Sequence, residues 1–97
     1  MNLIDEQMLM IKSIDRDAHL NFSENTKKWY VVSRIEEKDD CLLTGLTEHA
    51  DTPEHAVNQF LVMLQNIDKA HYLVADSYGD NRRMYRWNGV AFAEVPC

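Results

Sequence analysis

Four carboxylates lie within one short segment of the chain, at Glu36, Glu37, Asp39 and Asp40. Paired carboxylates can carry out general acid–base catalysis when a cleft holds them in environments that separate their pKa values. Here they lie between two apolar segments that are typical of β-strands, so the pattern predicts a solvated hairpin turn rather than a cleft. We therefore interpret these four side chains as a contact surface for a basic partner.

The histidines carry no recognisable metal-binding pattern. Two histidines four residues apart on a helix can bind zinc, and this spacing does not occur among the four histidines of the chain. We therefore expect neither a metal ion nor a cofactor. His71 precedes a tyrosine in a predicted strand, and we expect it to pack at the rim of the core.

Cysteine chemistry is also disfavoured. Cys41 begins an apolar run, which indicates a buried structural thiol, and its neighbours Asp39 and Asp40 disfavour the thiolate that a nucleophile needs. The two cysteines form no C-x-x-C pair, which fits a reducing compartment. A glycine-rich phosphate-binding loop is missing as well, so the sequence predicts a protein without catalytic activity.

Arginines alternate with aromatic residues in the Arg82–Trp87 ribbon, which also contains Arg83, Tyr85 and Arg86. Aromatic stacking combined with guanidinium contacts is one way in which sheets bind single-stranded RNA. In a strand, however, alternation places Tyr85 and Trp87 on the face opposite Arg86. A single-stranded RNA- or DNA-binding domain that uses this ribbon is therefore the alternative function.

Charge is distributed unevenly along the chain. The formal net charge is −6, and residues 1–54 hold twelve of the sixteen acidic residues but only six of the ten basic ones. A field of this sign repels phosphate backbones and attracts basic protein surfaces, so nucleic acid is an unfavourable partner. The candidate partner-binding residues are six acids of this half and two apolar anchors, namely Glu36, Glu37, Asp39, Asp40, Asp15, Asp17, Leu9 and Val62.

Two helices and several strands must position these residues. Apolar side chains at helical spacing predict an amphipathic helix over 3–14 and a second helix from the Thr52 N-cap to Ile67. The order α-β-β-α-β-β-β predicts an α+β fold, a two-layer sandwich in which two helices cover an antiparallel sheet of four to five strands. β-branched and aromatic runs predict the strands before the terminal hairpin, at 29–35, 41–47 and 71–75.

A terminal hairpin is predicted by Asn88-Gly89, which lies between two alternating segments. This dipeptide is the strongest short-range signal of a β-hairpin, because a type I′ turn needs positive φ at both central residues. A two-residue turn at this position predicts three facing pairs: Trp87–Val90, Tyr85–Phe92 and Arg83–Glu94.

Length and composition predict one small globular domain over residues 1–97. No apolar run approaches the roughly 20 residues of a transmembrane helix. The first residues are acidic where a signal peptide would be basic, which favours a cytoplasmic protein. An exposed edge strand in so small a sheet could support a homodimer.

These observations together predict a binding function. The architecture is similar to that of small acidic α+β inhibitors of nucleic-acid enzymes, some of them phosphate mimics encoded by phages or mobile elements. We therefore predict a non-catalytic acidic protein-binding module that inhibits or regulates a basic, nucleic-acid-handling partner.

Overall fold

The computed structural model describes residues 3–39, 43–75 and 83–95 of the chain. Helix α1 ends slightly before its predicted boundary, and three strands follow the second helix as predicted. The elements of the described residues are α1 (Leu3–Lys12), β1 (His19–Ser23), β2 (Lys28–Val32), β3 (Ile35–Lys38), β4 (Leu43–Gly45), β5 (His49–Ala50), α2 (Pro53–Gln65), β6 (Tyr72–Ala75), β7 (Met84–Trp87) and β8 (Phe92–Val95).

The described strands pair antiparallel and form two sheets. One sheet has the order β1-β2-β5, and the other has the order β4-β3-β6-β7-β8. The α+β class with two helices and antiparallel strands is therefore confirmed, while the strands expected in one sheet are divided between two. The division arises because the predicted strand 29–35 is interrupted at Ser33 and Arg34, so that β2 joins one sheet and β3 joins the other.

A buried carboxylate holds the chain where it passes from one sheet to the other. Asp15 follows α1 and is only 7% exposed. Its Oδ2 accepts a hydrogen bond from the backbone N–H of Arg34 at 2.9 Å, and its Oδ1 accepts one from the N–H of Asp17 at 3.0 Å. These charge-assisted bonds offset the cost of burying a charged group. Asp15 therefore stabilises the fold, while its role as a partner-binding residue stays a prediction.

Helix α2 begins at its predicted cap. Thr52 Oγ1 accepts a hydrogen bond from the backbone N–H of His55 at 3.2 Å, and Pro53 begins the helix, where its missing N–H needs no partner. The buried side of α2 packs against α1 and against β2, β5 and β7. That side consists of Ala56, Val57, Phe60, Leu61 and Leu64.

The hydrophobic core joins both helices to both sheets. Phe60 and Leu64 of α2 belong to the same buried cluster as Ile11 of α1, Val31 of β2 and Leu73 of β6. Burial of these apolar side chains is the main source of stability in a domain of this size. The face of the five-stranded sheet that bears Leu73 is therefore its covered face.

The terminal hairpin has a longer loop than the sequence predicts. β7 and β8 pair Trp87 with Phe92, residues 88–91 form the loop, and Gly89 has a φ of +98°. The prediction of a two-residue turn with Trp87 opposite Val90 is therefore wrong. Phe92 is 8% exposed and its ring centroid lies 4.9 Å from that of Trp87, whereas Val90 is 79% exposed. The observed register thus buries Phe92, which is larger than Val90. The register differs from the predicted one by two residues, so each side chain stays on its predicted face of the sheet.

Asn88 closes the loop of this hairpin. Its Oδ1 accepts hydrogen bonds from the backbone N–H groups of Val90 and Ala91, both at 2.9 Å. The predicted contact between Arg83 and Glu94 forms as an exposed ion pair, with 3.7 Å between Nη1 and Oε2, although the two residues are not directly opposite.

Candidate functional site

The predicted acidic turn is largely a strand. Glu36 and Glu37 lie in β3, which pairs with β4 and with β6 as far as Lys38. The prediction that residues 36–40 form a charged turn is therefore wrong over its first half. Asp40 lies outside the described residues.

The two carboxylates of β3 point to opposite faces of the five-stranded sheet, because successive residues of a strand alternate in direction. Glu37 is opposite Leu73 and shares the covered face, whereas Glu36 is opposite Val74 on the other face. Glu36 forms no hydrogen bond or ion pair with another described residue. Glu36 and Glu37 therefore do not share one continuous surface.

His71 gathers acidic side chains from two parts of the chain. It directly precedes β6, and its Nδ1 hydrogen-bonds to Oε2 of Glu37. The side chains of His71 and Glu37 are 29% and 25% exposed. Asp39 follows β3, Asp68 lies in the turn between α2 and β6, and both act on the imidazole electrostatically. We call Glu37, Asp39, Asp68 and His71 the acidic cluster.

Two members of the acidic cluster, Glu37 and Asp39, belong to the predicted binding set, whereas sequence reasoning did not place His71 and Asp68 beside them. The backbone N–H of His71 donates to the carbonyl of Asp68 at 2.9 Å. Arg86 Nη2 donates to the carbonyl of His71 at 3.5 Å. Hydrogen bonds of its backbone to Asp68 in the preceding turn and to the Arg86 side chain of a neighbouring strand therefore hold His71 beside Glu37.

The surroundings of His71 raise its pKa above the ordinary value of 6.5. The hydrogen bond to Glu37 is the largest cause, and the negative charges of Glu37, Asp68 and Asp39 act in the same direction, while partial burial opposes them. A raised histidine pKa reports a negative local potential. The acidic cluster can therefore attract cationic side chains and pair with them.

A carboxylate–imidazole pair can also activate a serine or cysteine nucleophile. Within the described ranges, however, no serine hydroxyl hydrogen-bonds to the ring of His71. Cys41, predicted to be a buried thiol, and Cys97 lie outside those ranges. In the same part of the chain, no group of three or more His, Cys, Asp or Glu side chains is placed to hold a metal ion.

The remaining predicted binding residues lie on other elements. Asp17 is exposed in the turn after α1, where its carbonyl oxygen lies 3.1 Å from Nδ1 of His19. Leu9 of α1 and Val62 of α2 are 55% and 45% exposed, and each lines a surface groove of its own. These three residues are therefore accessible but do not belong to the acidic cluster.

The Arg82–Trp87 ribbon is divided between the two faces of its sheet. Tyr85 and Trp87 pack against the core, as the alternation predicts. Arg86 lies on the other face, where its guanidinium carbon is 4.2 Å from the ring centroid of Tyr72 in β6. Its Nε is buried without a hydrogen-bond partner among the described residues. The stacking partner of Arg86 thus comes from another strand, and Arg82 lies outside the described residues.

No family model, curated protein or solved structure matches this chain. Neither of the described helices is long and apolar enough to cross a lipid bilayer. The function must therefore be inferred from the geometry and charge of the surface.

Proposed function

We propose that this protein is a non-catalytic acidic module that binds a protein partner with a basic surface. The observation that carries the proposal is the acidic cluster, in which Glu37 hydrogen-bonds to the ring of His71 and the negative charges of Glu37, Asp68 and Asp39 raise its pKa. Such a cluster attracts lysine and arginine side chains over about one Debye length, roughly 10 Å at 0.1 M ionic strength. At contact, the carboxylates pair with these cations and fix the orientation of the partner.

Other acids are available to the same partner. Neither the Glu36 nor the Asp17 carboxylate forms a hydrogen bond or ion pair with another described residue, and the whole chain carries a net charge of −6. Nucleic-acid-handling proteins bind phosphates through basic surfaces, so an acidic module that covers such a surface would inhibit or regulate them. A phosphate-mimicking role, a phage or mobile-element origin and a cytoplasmic location are parts of this proposal.

Charge reversal tests the proposal. The test variant carries Asp39→Lys and Asp68→Lys, two acids of the acidic cluster, and it leaves Glu37 unchanged because that side chain holds His71. Tagged wild type and variant are incubated with cell lysate at low and at high salt, and the captured proteins are identified by mass spectrometry. We expect the wild type to retain a basic protein in a salt-sensitive manner and the test variant to lose it.

A matched control separates local from general charge effects. The control variant carries Glu24→Lys and Glu94→Lys, which shift the net charge by the same amount as the test variant. Both side chains are exposed, and each pairs with an exposed basic residue, so the fold should tolerate the change. The control should still retain the partner. Equal loss by both variants, retention by both, or no captured protein at all would contradict the proposal.

A second candidate function is favoured by one observation, the stacking of Arg86 on Tyr72 on the face opposite the core. Stacked aromatic and guanidinium groups bind single-stranded RNA or DNA. The rings of Tyr85 and Trp87 pack against the core and are therefore not free to stack on bases. Retention of a fluorescent oligonucleotide at low salt, lost in Arg86→Glu, would support this function, and no retention by the wild type would reject it.

A homodimer is the remaining proposal about partners. In the described sheets, β1 and β8 each lie at an outer edge. The free backbone groups of an edge strand can pair with a second copy of the chain. Sedimentation velocity over a range of concentrations should then show a dimer, and a monomer at every concentration would contradict this proposal.

A further inference from the structure

A surface groove runs beside the exposed side of α2. It has a volume of about 420 Å³ and is lined by Glu48, Asn58, Gln59, Val62 and Met63. We call it the α2 groove. Most of its lining comes from α2, and Glu48 comes from the segment just before β5, so the groove lies between two elements.

The lining of the α2 groove combines apolar surface with polar groups. Val62 is exposed and Met63 is partly buried, so a branched aliphatic group and a flexible thioether form its apolar part. Asn58 Oδ1 accepts a hydrogen bond from Gln7 Nε2 at 2.9 Å. The side chain of Gln59 makes no hydrogen bond to a described residue and can bond to a ligand.

The charge of the α2 groove is negative and has no described counterion. Glu48 is exposed and forms no hydrogen bond or ion pair with another described residue. Glu54 lies one turn before Asn58 on α2, outside the lining of the groove, and adds to the negative potential near it. Helix α2 contains neither lysine nor arginine. A ligand that fills the groove is therefore expected to bring a positive charge.

We propose that the α2 groove binds a lysine or arginine side chain of the partner protein. The inference rests on the proposed function and deepens it by naming one contact. The long aliphatic stem of such a side chain would pack on Val62 and Met63 while its charged end pairs with Glu48. An acidic side chain would meet like charge, and a purely apolar one would cover Glu48 without pairing it, so charge complementarity selects a long cation.

An NMR titration with the peptide tetralysine tests this inference. We expect saturable amide shifts at Glu48 and at residues 58–63, together with separate shifts at His71 in the acidic cluster. The matched control is tetralysine acetylated on all four side chains. It keeps the aliphatic stems but lacks the side-chain charges, so it should produce no saturable shift. Equal binding of both peptides would overturn the proposal.

Two variants with the same change in charge show whether tetralysine binding depends on Glu48 itself or on the net charge of the protein. Glu48→Gln should weaken tetralysine binding in the α2 groove by about threefold, as expected for the loss of one exposed ion pair. Glu24→Gln, on the turn between β1 and β2, should leave the affinity of the groove unchanged. Equal weakening by both variants would overturn the proposal, because it would show a general effect of net charge.

The acidic cluster and the α2 groove consist of different residues, so the NMR shifts test the proposed function and this inference separately. Shifts at the acidic cluster alone would overturn the α2 groove as a binding site and leave the proposed function standing. Shifts at the groove alone would support this inference and contradict the acidic cluster as the contact surface. Shifts at neither region would overturn both proposals.

Discussion

Asp15 and the acidic cluster use the same chemical group in opposite ways. The carboxylate of Asp15 is almost completely buried and accepts hydrogen bonds from two backbone N–H groups of its own chain. Glu37 in the acidic cluster is about a quarter exposed and pairs with an imidazole that is also partly exposed. A buried carboxylate needs hydrogen-bond donors from the protein, whereas a partly exposed carboxylate or imidazole can also bond to water.

This difference separates structural carboxylates from available ones. A buried acid that accepts hydrogen bonds from the backbone of its own chain stabilises the fold. An acid whose partner is a partly exposed side chain contributes less to the fold, and its field extends into the solvent, where it acts on a partner protein. Asp15 and Glu37 both lie in the acidic first half of the chain, so composition alone does not distinguish the two kinds.

The substitution Asp15→Ala should have the largest effect on stability. It leaves the backbone N–H groups of Arg34 and Asp17 without their acceptor, and hydrogen bonds to charged groups contribute about 1.5–3 kcal/mol each. We expect the free energy of unfolding, measured with urea, to fall by roughly 3 kcal/mol. Asp17→Ala is the matched control and should change it by less than about 0.5 kcal/mol. Equal effects of the two substitutions would contradict the structural role of Asp15.

The pair of His71 and Glu37 should appear in the pH dependence of stability. Because the pKa of His71 in the folded protein is raised above 6.5, the folded state binds this proton more tightly than the unfolded chain does. The stabilisation is therefore fully present below about pH 6.5, and it is lost as the pH rises through the raised pKa.

The substitution His71→Gln removes this contribution. The difference in free energy of unfolding between wild type and variant should be larger at about pH 5.5 than at about pH 8.5, as measured with urea at both values. His55→Gln is the control, because His55 is exposed on α2 and has no carboxylate partner among the described residues. A difference for His71→Gln that does not vary with pH would show that Glu37 does not stabilise the imidazolium.

The substitution Glu36→Gln should have the smallest effect on the fold. Glu36 makes no hydrogen bond or ion pair with another described residue, so the free energy of unfolding should change by less than about 0.5 kcal/mol. Urea denaturation beside Asp15→Ala provides the comparison. A loss as large as that of Asp15→Ala would place Glu36 with the structural carboxylates and remove it from the binding surface.

Local signals in the sequence are sufficient to predict α2 and the α+β class. Thr52 and Pro53 act within the first turn of the helix, and the apolar spacing from Val57 to Leu64 identifies its buried side. Strand-forming runs are likewise properties of short segments. These signals act within a segment and do not depend on its tertiary contacts.

Long-range contacts determine what the sequence does not predict. At the break between β2 and β3, the backbone N–H of Arg34 donates a hydrogen bond to Asp15, which lies 19 residues earlier in the chain. The acidic cluster depends on the contact of Glu37 with His71, 34 residues further along the chain. The sequence could therefore predict a charged surface at the acids of β3, but it could not predict that His71 lies beside them.

The terminal hairpin shows local and long-range preferences in conflict. Asn88-Gly89 favours a two-residue turn, and this preference is a property of the dipeptide alone. The core instead takes up Phe92, and the loop lengthens to four residues so that this ring can lie beside Trp87. Burial of a large aromatic side chain therefore outweighs the preferred turn.

The hydrogen bond between Asp15 and Arg34 encloses the whole β1–β2 hairpin in a loop of 19 residues. Closing a short loop costs less conformational entropy than closing a long one, so contacts that are local in sequence tend to form early in folding. We therefore expect the turn after α1, β1 and β2 to assemble as one folding unit. β3 begins directly after Arg34 and pairs with β6 in the larger sheet, so this unit adjoins the strand that begins the larger sheet.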